Sequence, residues 1–178
     1  MQGKVHVAIG MGSLALLCVQ HPAGFDLGPM RILPEIGLVS ATLGSYMPDI
    51  DMQTTHAGQQ HKIASKVVSK VGGGHRGITH TLLIPLIVLI LMLFVSSFLA
   101  DFRYLNLIAS SVLFGFEYGY VMHLFADMFN GKGIPLLWPI SPSKIHIMDL
   151  PSSGFVPWLF TAVILGIQAL FVFGGLFS

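Results

Sequence analysis

Charge is scarce in this chain: 10% of its 178 residues are Asp, Glu, Lys or Arg, where a soluble domain carries about 25%. A surface with so few charges cannot face water throughout, so lipid must cover much of it. The 53% hydrophobic content and a mean hydropathy of +0.77 point the same way. Cysteine is almost missing. The single one, Cys18, lies inside an apolar run, so no intrachain disulfide can form and the redox compartment stays open. A formal net charge of +1, with no basic tail and no interleaving of aromatic and basic residues, excludes a nucleic-acid partner. No internal repeat, low-complexity tract or second domain is found, and residues 1–178 read as a single integral-membrane domain.

What the chain does have is apolar runs of spanning length. Crossing roughly 30 Å of hydrocarbon takes about 20 apolar residues in a helix. Leu82–Ala100, Leu105–Phe125 and Phe155–Phe177 meet that requirement. Val5–Val19 is shorter but continuous, and Met30–Met47 is apolar apart from an interruption at Pro34 and Glu35. Met1–Gln20 superficially resembles a signal peptide, but it lacks a small-x-small cleavage site before His21-Pro22 and is expected to stay as a helix. The expected fold is therefore all-α, a polytopic membrane bundle of about five transmembrane helices.

Five spans place the N-terminus, the Pro48–Thr81 loop and the Asp127–Gly154 loop on one side. That side holds Lys4, Lys62, Lys66, Lys70, Arg76, Lys132 and Lys144, and the other only Arg31 and Arg103. The excess of positive charge makes the first side cytoplasmic and puts the C-terminus outside. Within the first long loop, Gln60–Val71 has helical periodicity, with Lys62, Lys66 and Lys70 on one face beside Ile63, Val67 and Val71. It suits either a helix lying in the headgroup region or a short solvated one packed on its own protein.

Histidine and aspartate are distributed unevenly. His6 sits at the start of the first span, and Asp49 and Asp51 close the second. His75 and His80 open the third, and His123 and Asp127 end the fourth. Because alternate spans run in opposite directions, all seven converge on one face. His123 and Asp127 are four apart and project from one side of a helix. Singly, each of these residues has an ordinary explanation as an interfacial histidine, a helix cap or a hydrogen-bonded pair. Jointly they suit a divalent transition metal, with zinc foremost and manganese or iron as alternatives. Seven candidates exceed the four or so ligands that one zinc needs, which leaves room for one or two ions. Glu117, inside the fourth span, is a candidate hydrogen-bond partner for a metal ligand or an acid-base group. His21, His56, His61 and His146 fit no ligand spacing.

Three stretches carry a resemblance: Pro48-Asp49-Ile50-Asp51; His75-Arg76-Gly77-Ile78-Thr79-His80-Thr81; and Gly119 to Asp127 running on through Gly133-Ile134-Pro135-Leu136-Leu137-Trp138-Pro139-Ile140-Ser141. Together with His6 they resemble the bacterial inner-membrane, membrane-bound metal-dependent hydrolase family (YdjM-like), some of whose members are under LexA control. The likeness covers about residues 1–145. Asn130 stands where that family commonly has threonine, and Thr81 where serine is common. The resemblance implies a metal-dependent hydrolase in the bacterial inner membrane, distantly similar to helical zinc phospholipases C, which cleave phosphodiesters with His and Asp ligands.

The expected activity is hydrolysis of a lipid-borne ester, foremost a phosphate ester, at the cytoplasmic membrane face. His6, Asp49, Asp51, His75, His80, His123 and Asp127 would be metal ligands, with Asp51 also a candidate general base. Arg76 could clamp a phosphate oxygen or simply help to set topology. A lipid amidase or other acyl hydrolase, and a non-enzymatic metal-binding membrane protein, remain the alternatives. Substrate, metal identity and oligomeric state are left open.

Overall fold

The structure, a computed structural model, describes residues 3–51, 59, 65–66 and 77–174. It is mostly helical, with five continuous α-helices among those residues: α1 Gly3–Val19, α2 Pro34–Tyr46, α3 Leu83–Phe98, α4 Arg103–Asp127 and α5 Phe155–Gly174. A 3-10 turn, Met47–Asp51, continues α2, and another, Ile78–His80, precedes α3. Of the Gln60–Val71 stretch only Ser65 and Lys66 are described, and both are helical; the expected amphipathic helix otherwise lies outside the described residues.

Helix length limits what can cross a bilayer. At 1.5 Å per residue α4 and α5 extend about 37 and 30 Å, enough for the hydrocarbon core. These two are long and apolar enough to cross by length and composition, whereas α1 and α3 are apolar but shorter. The expected Met30–Met47 span is not one helix. Met30–Ile32 forms strand β2, which pairs antiparallel with β1, Phe25–Leu27, around Gly28-Pro29. Gly28 adopts φ +60, the left-handed value a two-residue hairpin turn needs at its first position. Pro34 does not interrupt the helix but starts it, where its missing N–H costs nothing. The 13 residues of α2 reach about 20 Å, and the hairpin occupies the rest of the path, with Met30 and Ile32 buried beside Met92.

The interior is unusually polar and the exterior unusually apolar. Ser13, Ser40, Ser45, Ser110 and Ser111 are buried, while Phe94, Phe98, Leu170 and Phe171 are largely exposed along α3 and α5. That inversion is what a lipid-covered bundle shows. Between α2 and α4 the backbones come close because both helices present small residues. A Cβ added at Gly44 would fall on the Phe116 carbonyl, one at Gly115 on Gly37, and one at Gly119 on Ala41. Ser40 Oγ donates to the Val112 carbonyl at 2.5 Å and Ser45 Oγ to the Gly119 carbonyl at 3.3 Å. Small residues and interhelical serine bonds are how helices associate where lipid supplies no hydrophobic drive.

Gly44→Ala should therefore destabilise the protein by about 1–3 kcal/mol, since the obstructing atoms are backbone and cannot swing away. Gly166→Ala, in the middle of α5 with open space around it, should stabilise by about 0.5–1 kcal/mol. Thermal midpoints in detergent check the pair, and a Gly44→Ala protein as stable as the parent would contradict the close seam.

Candidate metal centre

Each segment delivers its polar residues to one end of the bundle. His6 lies in the second turn of α1, Asp49 and Asp51 in the turn after α2, and His80 in the turn before α3. His123 and Asp127 occupy the last turns of α4. All six are buried, with His6, His80 and His123 fully so and Asp49 the most open at 7%. Beneath them the segment after α4 folds back. Leu82 N–H bonds the Leu136 carbonyl, and Ile134, fully buried, packs on Tyr120 and Leu124.

Asp127 is the centre of the cluster. Its Oδ1 lies 3.3 Å from His6 Nε2, and its Oδ2 lies 3.5 Å from His80 Nε2 and 3.9 Å from His123 Nε2. His123 Nε2 is also 3.8 Å from Asp49 Oδ1. The His6 and His123 rings stack with centroids 3.7 Å apart. Two ligands on a tetrahedral zinc, at about 2.0–2.1 Å each, sit about 3.3–3.5 Å from one another. Two groups, His6–His123–Asp127 and Asp49–His80–His123, each bring their ligand atoms within 4.8 Å of one another.

The protonation pattern fits a cation too. His123 Nδ1 lies 2.8 Å from the Ser45 carbonyl, which can only accept, so Nδ1 carries the hydrogen and the neutral ring keeps its lone pair at Nε2. Neither that Nε2 nor either ring nitrogen of His6 makes a hydrogen bond, although all are buried. His6 Nε2 approaches Asp127 closely without the alignment of a hydrogen bond. Leaving such groups unsatisfied costs about 1–3 kcal/mol each, and a shared cation would relieve them. Because only one nitrogen of His123 is available, His123 can serve one ion.

Among the described residues outside the α-helices, Asp49 and His80 have displaced titrations. Burial pushes the Asp49 carboxyl above its ordinary value, opposed by His6 and reinforced by Asp127. For His80 burial acts to lower the pKa, but the Asp127 and Asp51 carboxylates outweigh it and the net displacement is upward. In the absence of a cation His80 thus tends to keep a proton where a metal would sit, and the two compete.

The sequence-derived residues divide into three sets. His6, Asp49, His80, His123 and Asp127 form the convergent ligand groups. Asp51 lies behind His80, its Oδ2 3.3 Å from His80 Nδ1, and belongs to neither group. Glu117 is half-buried six residues before His123 and is also in neither group; six residues of helix leave the two side chains about 120° apart around the axis. His75 and Arg76 lie outside the described residues, as do His56 and His61. His146 is exposed and 3.9 Å from Asp149, away from the cluster groups. The Ser45 carbonyl has no sequence signal, since any residue there would offer one.

The two departures from the family pattern both keep their polar contacts. Thr81 Oγ1 accepts the Leu83 N–H at the start of α3, and Asn130 Nδ2 donates to Ser152.

A family model described as YdjM inner membrane protein matches residues 1–176. The chain belongs to this family. Over 105 residues it is 39% identical to the inner membrane protein YdjM of Escherichia coli (strain K12), and equally to that of Shigella flexneri. Those matches cover 56% of this chain and 47% of each relative, so the matched region spans about half the length of either. It is also 32% identical over 139 residues to the uncharacterized protein YvsG of Bacillus subtilis (strain 168), covering 78% of this chain and 74% of that one. No solved structure matches. Membership of the YdjM family agrees with the expected inner-membrane location.

A YdjM-family protein with this cluster is expected to take up about one divalent transition-metal ion per chain. His123→Ala or Asp127→Asn should weaken binding by on the order of tenfold or more. Metal analysis of purified protein checks this, and undiminished uptake by the His123→Ala protein would exclude the cluster as the site.

Proposed function

We propose that this protein is a membrane-embedded, metal-dependent hydrolase acting on a lipid-borne ester, foremost a phosphate ester, at the cytoplasmic face. The observation that carries the proposal is the convergence of five buried imidazole and carboxylate ligands from four separate segments on one end of an apolar bundle. Ionisable groups are costly beside lipid and tend to mark function. Their place at helix ends suits a lipid headgroup better than the midplane position typical of transport sites.

In this proposal His6, Asp49, His80, His123 and Asp127 hold the ion, which zinc fits best by donor type. When bound, such an ion supplies Lewis acidity and lowers the pKa of water in its coordination sphere. Asp51 acts through His80, since its Oδ2 is taken up by that ring and by a neighbouring hydroxyl. Arg76, two residues from the described turn, provides a bidentate contact for a phosphate oxygen. Glu117 is left as a separate half-buried acid. The chain crosses five times, with α2 and its hairpin making the second passage, so that both long loops lie in the cytoplasm.

Purified protein incubated with a lipid panel, with and without chelator, should release a lipid product only when metal is present, as read by mass spectrometry. His80→Ala and Asp51→Ala should lose at least about a hundredfold in rate while inserting normally. Arg76→Lys keeps the charge but not the two-pronged contact. Full activity in that variant would move the substrate from phosphate esters to acyl bonds. Reporter fusions placing residues 52–76 and 128–154 on opposite sides of the membrane would sink the five-pass topology and the cytoplasmic site with it.

A further inference from the structure

The hydroxyls of Thr79 and Tyr120 belong to no ligand group, yet both are turned inward beside His80. Thr79 is 8% exposed and Tyr120 3%. Thr79 Oγ1 donates to Asp51 Oδ2 at 2.8 Å and stands 3.1 Å from His80 Nδ1. With its hydrogen committed to the carboxylate, the Thr79 oxygen can only accept from the ring. His80 Nδ1 therefore faces two acceptors, this oxygen and Asp51 Oδ2 at 3.3 Å. Such a pair holds the hydrogen at Nδ1 and turns Nε2 towards Asp127 Oδ2, 3.5 Å away.

Tyr120 fixes the turn that carries this arrangement. It precedes His123 by three residues on α4, so the two share a helix face. Its hydroxyl donates to the Thr79 carbonyl at 2.6 Å. The Ile78–His80 turn comprises three residues, too short to hold its own geometry. A bond from the long, rigid α4 thus sets the height of His80 relative to His123 and Asp127, which stand on that same helix.

We infer that Thr79 and Tyr120 are positioning residues for the metal centre: Tyr120 fixes the turn before α3, and Thr79, with Asp51, selects the His80 tautomer that presents Nε2. The assignment rests on the proposed metal site but has consequences separable from it. Partners behind a metal-ligating histidine commonly change metal affinity about 10–100-fold when removed. Nothing in the spacing of the chain marks either residue, because each acts across elements.

Two measurements test the assignment. In zinc titrations of the purified protein, Thr79→Val and Tyr120→Phe should raise the dissociation constant by about 10–100-fold, with Thr79→Ser close to the parent. A purely structural role would not distinguish Val from Ser in this way, and thermal midpoints of the metal-free proteins show that the variants fold. In metal-free protein carrying ¹⁵N-labelled histidine, at alkaline pH where the rings are neutral, His80 should be the Nδ1–H tautomer in the parent and in Thr79→Ser. Thr79→Val should give a mixture, with a His80→Gln sample identifying the resonance. An unchanged tautomer in Thr79→Val overturns the assignment, as does an unchanged zinc affinity in a parent that binds zinc. If the parent binds no zinc but Thr79→Val scrambles the tautomer, the positioning role stands and the metal proposal fails.

Discussion

A carboxylate with both oxygens turned towards buried imidazoles is the feature on which the rest of this structure depends. Asp127 is 1% exposed at the end of a helix whose neighbours present hydrocarbon to their surroundings. Left alone, such a charge would cost several kcal/mol. It is tolerated because His6, His80 and His123 arrive from three directions within 3.3–3.9 Å. Removing the charge would take from all three rings the one carboxylate that their Nε2 atoms share, and removing the rings would leave a buried charge without their compensation. The cluster is therefore a constraint on the ends of α1, α3 and α4 together. It also explains why the chain accepts so many polar atoms in a place where they are expensive.

That convergence depends in turn on the glycine and serine seam. Asp49 and the Ser45 carbonyl reach His123 only because α2 lies against α4 at backbone contact, with Gly37, Ala41 and Gly44 meeting Gly115, Phe116 and Gly119. Ordinary side chains there would hold helices about 8–10 Å apart and withdraw both groups from the imidazole. Gly10 extends the junction to α1, facing Ser45 and Gly119. The same small residues that bring the helices together thus bring the acid, the carbonyl and the rings into register. Stability and site geometry share one set of contacts.

Around this polar knot the remaining segments have simpler tasks. The hairpin closes the opposite end over the short α2, and the segment after α4 folds back on Tyr120 and Leu124, tied by the Ile134 and Ile145 pair and by the bond from Leu82 to Leu136. On α5 the polar residues are few but placed, with Gln168 reaching the Ser13 carbonyl, while Gln20, just after α1, reaches that of Val172, both at 2.9 Å. These bonds add to the packing of Phe160 against Val5 and Ile9 in fastening α5 to α1.

Much of this was legible in order along the chain. Scarce charge and long apolar runs announce a membrane bundle, and alternating directions are enough to gather His6, Asp49, Asp51, His80, His123 and Asp127 at one end. The i, i+4 spacing of His123 and Asp127 needed no structure. These are local or additive properties, readable from composition and periodicity. What the chain alone did not disclose was that Met30–Ile32 pairs as a strand, that Pro34 opens a helix, that Asp51 stands behind His80, and that Glu117 turns from the ligand face. Nor could it show that the Ser45 carbonyl and the Thr79 hydroxyl face the Nδ1 atoms of His123 and His80, or that Tyr120 is bonded to the turn before α3. Those outcomes depend on distances of a few tenths of an ångström between segments far apart in sequence. Only the packing of α2 on α4, and of the turn before α3 on both, settles such distances, because hydrogen bonds select partners by position and angle rather than by residue type.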